Sequence, residues 1–223
     1  APSSMTLEAN VLFPKILDSA KTAVTTSVFG MNAVSSSTNV ITSDNYAGLV
    51  VKTVKNNVLQ AGCKFQLSST AGLWTTINTD YFSEVYSNTP WYLAVRFSED
   101  TSSPLLNSDN RGTQTYKVDF IGYRYDQDVR TSMFEETATI TQADYQNFIS
   151  ANKGVFLGAN RATIGGTVTN QSDCKILSFS VWDDALENSE MQEHAKSVEN
   201  LGRNRPLQQP NDNQGAYTNK ADK

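Results

Sequence analysis

The sequence predicts an all-β protein built as an antiparallel β-sandwich or barrel, and three observations predict it. Ser, Thr and Asn supply 23, 23 and 20 of the 223 residues. Their short polar side chains compete for backbone hydrogen bonds, so they favour strands, turns and caps over helix interiors. Apolar residues recur with a period of two in segment after segment, the spacing that puts one strand face in a core and the other in water. Turn-rich stretches separate these segments without the strand-helix rhythm that a parallel sheet requires. A chain of 223 residues suits one such domain and can bury a core without staples.

The first strand carries Met5, Leu7, Ala9, Val11 and Phe13 on one face against Thr6, Glu8 and Asn10 on the other, and Pro14 ends it. Further strands are expected at 26–31, 48–54, 63–68, 91–97, 116–122, 154–157 and 175–182, with turn-rich stretches at 34–39 and 100–113 between them. A short helix is expected at 141–149, capped by Thr141 and anchored by Tyr145, Phe148 and Ile149. A second is expected at 189–198, where Asn188 or Ser189 caps, Gln192 completes a capping box, and Met191, Ala195 and Val198 form a narrow apolar stripe. No internal repeat of fixed period is present.

Composition excludes several functions. The net charge is −5 and no Lys/Arg block occurs, so the clustered positive charge that displaces counterions from nucleic acid is missing. No apolar run approaches the roughly 18 residues of a membrane helix. A single histidine rules out sites needing several imidazoles, an HExxH zinc protease among them. The opening 1–13 is polar and then alternating, unlike a signal peptide. Its start at Ala1 instead of Met is read as a processed product or a segment of something longer.

The character changes after Gly202. Residues 203–223 hold Pro206, a polar run over 208–214 and only two bulky apolar residues, Leu207 and Tyr217. That is too little apolar surface to offset the entropy of ordering the segment. The expected organisation is one domain over 1–202 and a polar linker or docking tail over 203–223.

Three segments in fixed order carry a family resemblance: Ser4-Met5-Thr6-Leu7-Glu8-Ala9-Asn10-Val11, Trp91-Tyr92-Leu93-Ala94-Val95-Arg96-Phe97, and Leu157-Gly158 followed by the run from Lys175 to Leu186 with Ser189-Glu190-Met191 beyond it. Together they resemble the laminin-G-like, concanavalin A-like lectin and glucanase jelly-roll family over residues 4–202. The resemblance implies a concanavalin-like jelly roll of two curved antiparallel sheets, with the first and last long strands adjacent and a short C-terminal helix covering one rim. Leu7, Ala9 and Val11 would then face inward from the first strand, and Leu177, Phe179 and Val181 from the last. This chain departs from the family pattern after the central Trp strand. Where relatives carry a short hairpin it reads on through 118–128, followed by an insertion over 129–153.

Catalysis of the laminarinase type needs Glu-x-Asp-x-x-Glu on a strand, because side chains two apart share a face and bracket one glycosidic bond. No such spacing occurs, so the chain is expected not to be an enzyme. Glu135 and Glu136 are adjacent and would point to opposite faces, and Asp183 and Asp184 read as a turn after the last strand. His194 reads as a solvated helix histidine. Many relatives bind calcium at a loop rim, and Asp126 and Asp128, two apart after a strand, are the candidate hard-oxygen ligands for Ca2+, with a plain polar turn as the alternative.

Glycan binding needs exposed rings with polar neighbours. The candidates are Tyr123 and Tyr125 with Arg124 between them, and Trp74 and Tyr86 from the aromatic cluster that also holds Tyr81 and Phe82. Trp91 and Trp182 fall on strand positions that are structural in the family. Cys63 shares the apolar parity of Phe65 and Leu67, while Cys174 lies opposite in parity to Leu177 and Phe179. By parity one thiol would lie inside and one outside, which weakly opposes a Cys63 to Cys174 bridge, and two buried free thiols are the default reading. Asn170-Gln171-Ser172 is the sole glycosylation sequon.

The expected function is a non-catalytic recognition or adhesion module, binding glycan or protein, within a larger surface or extracellular protein. The alternatives are a structural subunit of a virion, phage coat or appendage, with further copies of itself as partners, and, least supported, a polysaccharide-cleaving enzyme. The expected location is extracellular, at a cell surface or on a virion surface.

Overall fold

The computed structural model describes residues 4–15, 24–34, 41–54, 62–69, 73–100, 115–126, 128–161 and 166–197. The turn residues expected at 35–39 and 101–113, Val198, the boundary at 202 and the tail over 203–223 lie outside the described residues.

The elements in chain order are β1 (Met5–Leu12), β2 (Val24–Val34), β3 (Ile41–Val54), β4 (Gly62–Ser69), β5 (Ile77–Asn78), β6 (Pro90–Glu99), β7 (Tyr116–Asp126), β8 (Val129–Ile140), α1 (Gln142–Ser150), β9 (Lys153–Leu157), β10 (Asn160–Arg161), β11 (Val168–Thr169), β12 (Lys175–Trp182) and α2 (Asn188–Lys196). One sheet runs in the order β12-β1-β6-β7-β8 and a second in the order β5-β4-β3-β2-β9, with β10 and β11 as a separate pair. Every pairing is antiparallel. The described residues are all-β with two short helices.

Period-two alternation explains the core. Trp91, Leu93, Val95 and Phe97 from β6, with Val118 and Phe120 from β7, share one cluster with Phe29 and Met31 from β2 and Phe65 and Leu67 from β4. Rings cross from one sheet to the other, with Phe65 5.0 Å from Trp91 and 5.5 Å from Phe134 between centroids. Burying such a ring stabilises the fold by about 1.5 to 3 kcal/mol. The opposite parity of the first sheet, Tyr92, Ala94, Ile121 and Tyr123, forms a smaller cluster with Leu186 and Met191 around α2. β1 is consequently buried on both faces.

Three local expectations are corrected. Residues 129–140, read as the start of an insertion, form the twelve-residue edge strand β8. Its polar outer face masks the inward residues Phe134, Ala138 and Ile140, so its alternation is faint. α1 follows as expected, with Asp144 N–H donating to Thr141 Oγ1 at 3.2 Å. α2 is capped by Glu187 and not by Asn188 or Ser189, and Glu187 N–H donates to the Glu190 carboxylate at 3.0 Å. Asn188 is committed elsewhere, its Oδ1 accepting from Arg96 at 2.8 Å.

The third correction concerns β12. Asn10 faces Ser178 while Val11 faces Ile176, so Leu177 is the extra residue of a bulge. Ile176 and Phe179 pack against the core, whereas Leu177 and Val181 are 42% and 43% exposed. They point from an edge strand at the border of the sheet, where the facing layer no longer covers them.

Candidate functional site

The densest polar constellation lies between the outer face of the first sheet and α2. Glu8 Oε2 accepts the Tyr92 hydroxyl at 2.6 Å and lies 2.8 Å from His194 Nδ1. Burial and the neighbouring Glu8 carboxylate hold the Tyr92 phenol well above its ordinary range. Beside this group, Arg96 donates from Nε to Asp119 Oδ2 at 2.9 Å and sets Nη2 2.8 Å from the same oxygen, while Nη1 donates to the Leu186 carbonyl at 2.8 Å. Thr137 donates to Asp119 Oδ1 at 2.8 Å. Asp119 is 1% exposed, and a charge so buried is stable only when paired and hydrogen-bonded. These groups fasten the 183–187 turn and α2 to the sheet. His194, expected in solvent, is 2% exposed and its ring lies 5.7 Å from that of Trp182. Its face of the helix is the one Met191 occupies three residues earlier, which was the available signal.

The predicted glycan platform is dispersed. Tyr123 is 1% exposed and stacked on Tyr92 at 6.0 Å, and Trp74 is 4% exposed and set edge-on to Phe97 at 5.8 Å. Both rings belong to the interior because α2 covers the outer face at Tyr123, and Trp74 enters the main core. Tyr125 remains half-buried with Lys196 Nζ 5.8 Å above its ring. Arg124 donates to Thr131 Oγ1 at 3.2 Å and to Thr89 Oγ1 at 3.4 Å. Tyr86 packs on Phe13 and donates to Asp173 Oδ1 at 3.3 Å, while Tyr81 is 55% exposed. Trp91 is fully buried.

Asp126 ends β7 facing Val129, and Asp128 immediately precedes β8 at a φ of 66°. Among the described residues no group of three or more His, Cys, Asp or Glu side chains gathers there or elsewhere. Glu135 accepts from Asn188 Nδ2 at 3.2 and 3.3 Å. Asp184 Oδ1 accepts the Ala185 N–H at 2.8 Å and so closes the turn after β12. Both thiols are free, but Cys174 packs against the same core as Cys63. The bulge at Leu177 reverses the parity upstream of it and turns Cys174 inward, against the parity reading. Burial pushes both thiols up.

Two rims separate the sheet borders. β5 and β8 face each other at one, where Thr75, Thr76, Asn78, Glu136, Thr137 and Thr139 line an open groove of about 460 Å3. β9 and β12 form the other, bridged inside by Phe29 and Phe179 at 5.4 Å. Val155 and Leu157 on β9 are 40% and 48% exposed, matching Leu177 and Val181 on β12. Among the described residues β9 pairs only with β2 and β12 only with β1, so each keeps an open edge. This rim was not foreseen, since strand periodicity marks faces and not sheet borders. No family model, no curated protein and no solved structure matches the chain.

Proposed function

We propose that the chain is a non-catalytic recognition module of a larger surface or extracellular protein, built as a jelly-roll sandwich of the laminin-G-like, concanavalin A-like kind, and that it binds protein through the β9/β12 rim. The adjacency of the first and last long strands, with Thr6 facing Trp182 and Leu12 facing Lys175, supports the jelly-roll reading. The observation that carries the function is the pair of open edge strands bearing Val155, Leu157, Leu177 and Val181 on their exposed surface. Natural sheets protect such edges with charge, proline or a covering element, and an apolar open edge invites a partner strand. Protein is favoured over glycan because Tyr123 and Trp74, two of the rings a sugar would stack on, are interior.

A photo-crosslinking side chain placed at 157 or at 177, with 139 in the opposite groove as control, tests this on the native surface. Adducts to protein from 157 and 177 but not from 139 are expected. Adducts confined to 139 overturn the reading. Service as a structural subunit of a particle or appendage is the second reading, and the same rim supports it where the partner is a further copy of the chain.

A further inference from the structure

We infer that Asn170 carries an N-linked glycan, which stands at one end of the β9/β12 rim. This rests on the chain being a surface or extracellular protein and adds a modification site at the border of the proposed rim. Asn170-Gln171-Ser172 is the one Asn-x-Ser/Thr triplet of the sequence, the pattern whose third-position hydroxyl glycosyl transfer requires. Such a triplet can hold a sugar in the folded protein only where the asparagine amide has no structural duty and faces water. Asn170, Gln171 and Asp173 are exposed, and among the described residues no hydrogen bond uses the Asn170 side chain. Asn10, Asn32, Asn78 and Asn188, by contrast, each donate from Nδ2 within the fold. Asn170 is held by its backbone alone. Its φ of 51° lies in the left-handed region that asparagine enters more readily than most residues, and its carbonyl accepts the Ser27 N–H at 2.8 Å. A glycan on Nδ2 therefore breaks no contact of the described fold.

In the transfer, Asn170 Nδ2 attacks the anomeric carbon of a lipid-pyrophosphate-linked oligosaccharide. A carbon–nitrogen bond forms, the bond from that carbon to the pyrophosphate oxygen breaks, and the nitrogen gives up one proton. The lipid pyrophosphate leaves, and nothing is oxidised or reduced. The triplet is tied to both rim strands. Ser172 N–H donates to the carbonyl of Gly158, which follows β9, at 2.7 Å, and Ser172 Oγ accepts from the N–H of Cys174, which precedes β12, at 3.2 Å. The far end of the rim is marked by Lys153 and Asp183, where the carboxylate favours the nearby ammonium. Natural sheets cover or charge their open edges, and a glycan is a bulky, solvated cover. At Asn170 it shields the end of the rim next to Leu157 and leaves the Lys153 end open to a partner.

Peptide mass spectrometry of the full chain taken from its native surface tests this, with peptide-N-glycosidase applied in water labelled with heavy oxygen. The enzyme hydrolyses the asparagine–glycan amide and leaves a labelled aspartate, so the label marks each carrier. Label at 170 and at no other asparagine is expected. In the chain expressed in the same cells, Asn170→Gln and Ser172→Ala are expected to lose the glycan completely. Ser172→Thr is expected to keep it, because threonine restores the hydroxyl. A native chain whose residue 170 is found only unlabelled overturns the inference, as does a glycan retained in Asn170→Gln or lost in Ser172→Thr. Label at 170 without crosslinks from 157 or 177 leaves the glycan standing and removes the recognition rim. Crosslinks from 157 and 177 with an unlabelled 170 do the reverse.

Discussion

Glu8 on the first strand and His194 on the last helix lie 2.8 Å apart, oxygen to nitrogen, across 186 residues of chain. The contact joins the two ends of the described fold. Asn10 reinforces it by donating from Nδ2 to the His194 carbonyl at 3.4 Å, and Thr6 donates to the Asp184 carbonyl at 2.8 Å. The outer face of the first sheet is thus the seat of α2, joined to it by these polar contacts and by the apolar cluster around Leu186 and Met191.

His194→Ala leaves the buried Glu8 with one partner removed. Loss of a buried hydrogen bond to a charged group costs about 1.5 to 3 kcal/mol. Urea unfolding should show that loss, and hydrogen exchange should show α2 opening before the sheets. A change below about 1 kcal/mol, the range of surface pairs, would contradict the role given to this contact.

Gly122 faces Phe134 across the β7–β8 pairing, and a Cβ at 122 would enter the Phe134 ring. Gly122→Ala is therefore expected to destabilise by about 1 to 3 kcal/mol, as overpacking does. In a double-mutant cycle Phe134→Leu should relieve part of that penalty. Additive effects of the two substitutions would show that the ring does not lie over the glycine.

Alkaline pH should unfold the protein early. Burial raises the thiols of Cys63 and Cys174 and the phenols of Tyr86, Tyr92, Tyr123 and Tyr145 above their ordinary values. The folded chain keeps protons that the unfolded chain sheds, so this stability is complete below about pH 8 and is lost as pH rises through the thiol and phenol range. Lys153, lowered by burial, acts in the opposite sense, one group against six. Urea midpoints measured from neutral to alkaline pH should fall beyond about pH 9, with a shallower fall in Tyr145→Phe. A midpoint that rises with alkaline pH would reverse the sign.

Tyr123→Ala should cost stability of the order expected for a buried ring, about 3 to 5 kcal/mol, while Tyr125→Ala should cost less because its ring is only half-buried. Thermal unfolding of the two variants separates them. A stable Tyr123→Ala that had lost binding to a sugar would return Tyr123 to the list of ligand residues.

Much of the sheet architecture was legible from residue order. β12 was bounded at 175–182 as found, and α1 with its Thr141 cap was foreseen, because clean alternation and a capping side chain are local signals. β8 was hidden because an edge strand keeps polar residues on its outer face, and Glu135-Glu136 interrupts the pattern between Phe134 and Ala138. The burial of Tyr123 and His194 was illegible for a different reason. Both occupy positions that face water on an uncovered sheet or helix, and only the docking of α2 over β6 and β7 takes them inside. The inward turn of Cys174 depended on one inserted residue, Leu177, which no periodicity announces.

Hydrogen exchange of the protein on its native surface, compared with the isolated chain, tests the proposed recognition rim most directly. The amides of 153–157 and 175–182 are expected to gain protection on assembly, because a partner strand takes up their open edges. Protection gained only over 131–139 on the opposite border, with β9 and β12 unchanged, would contradict it.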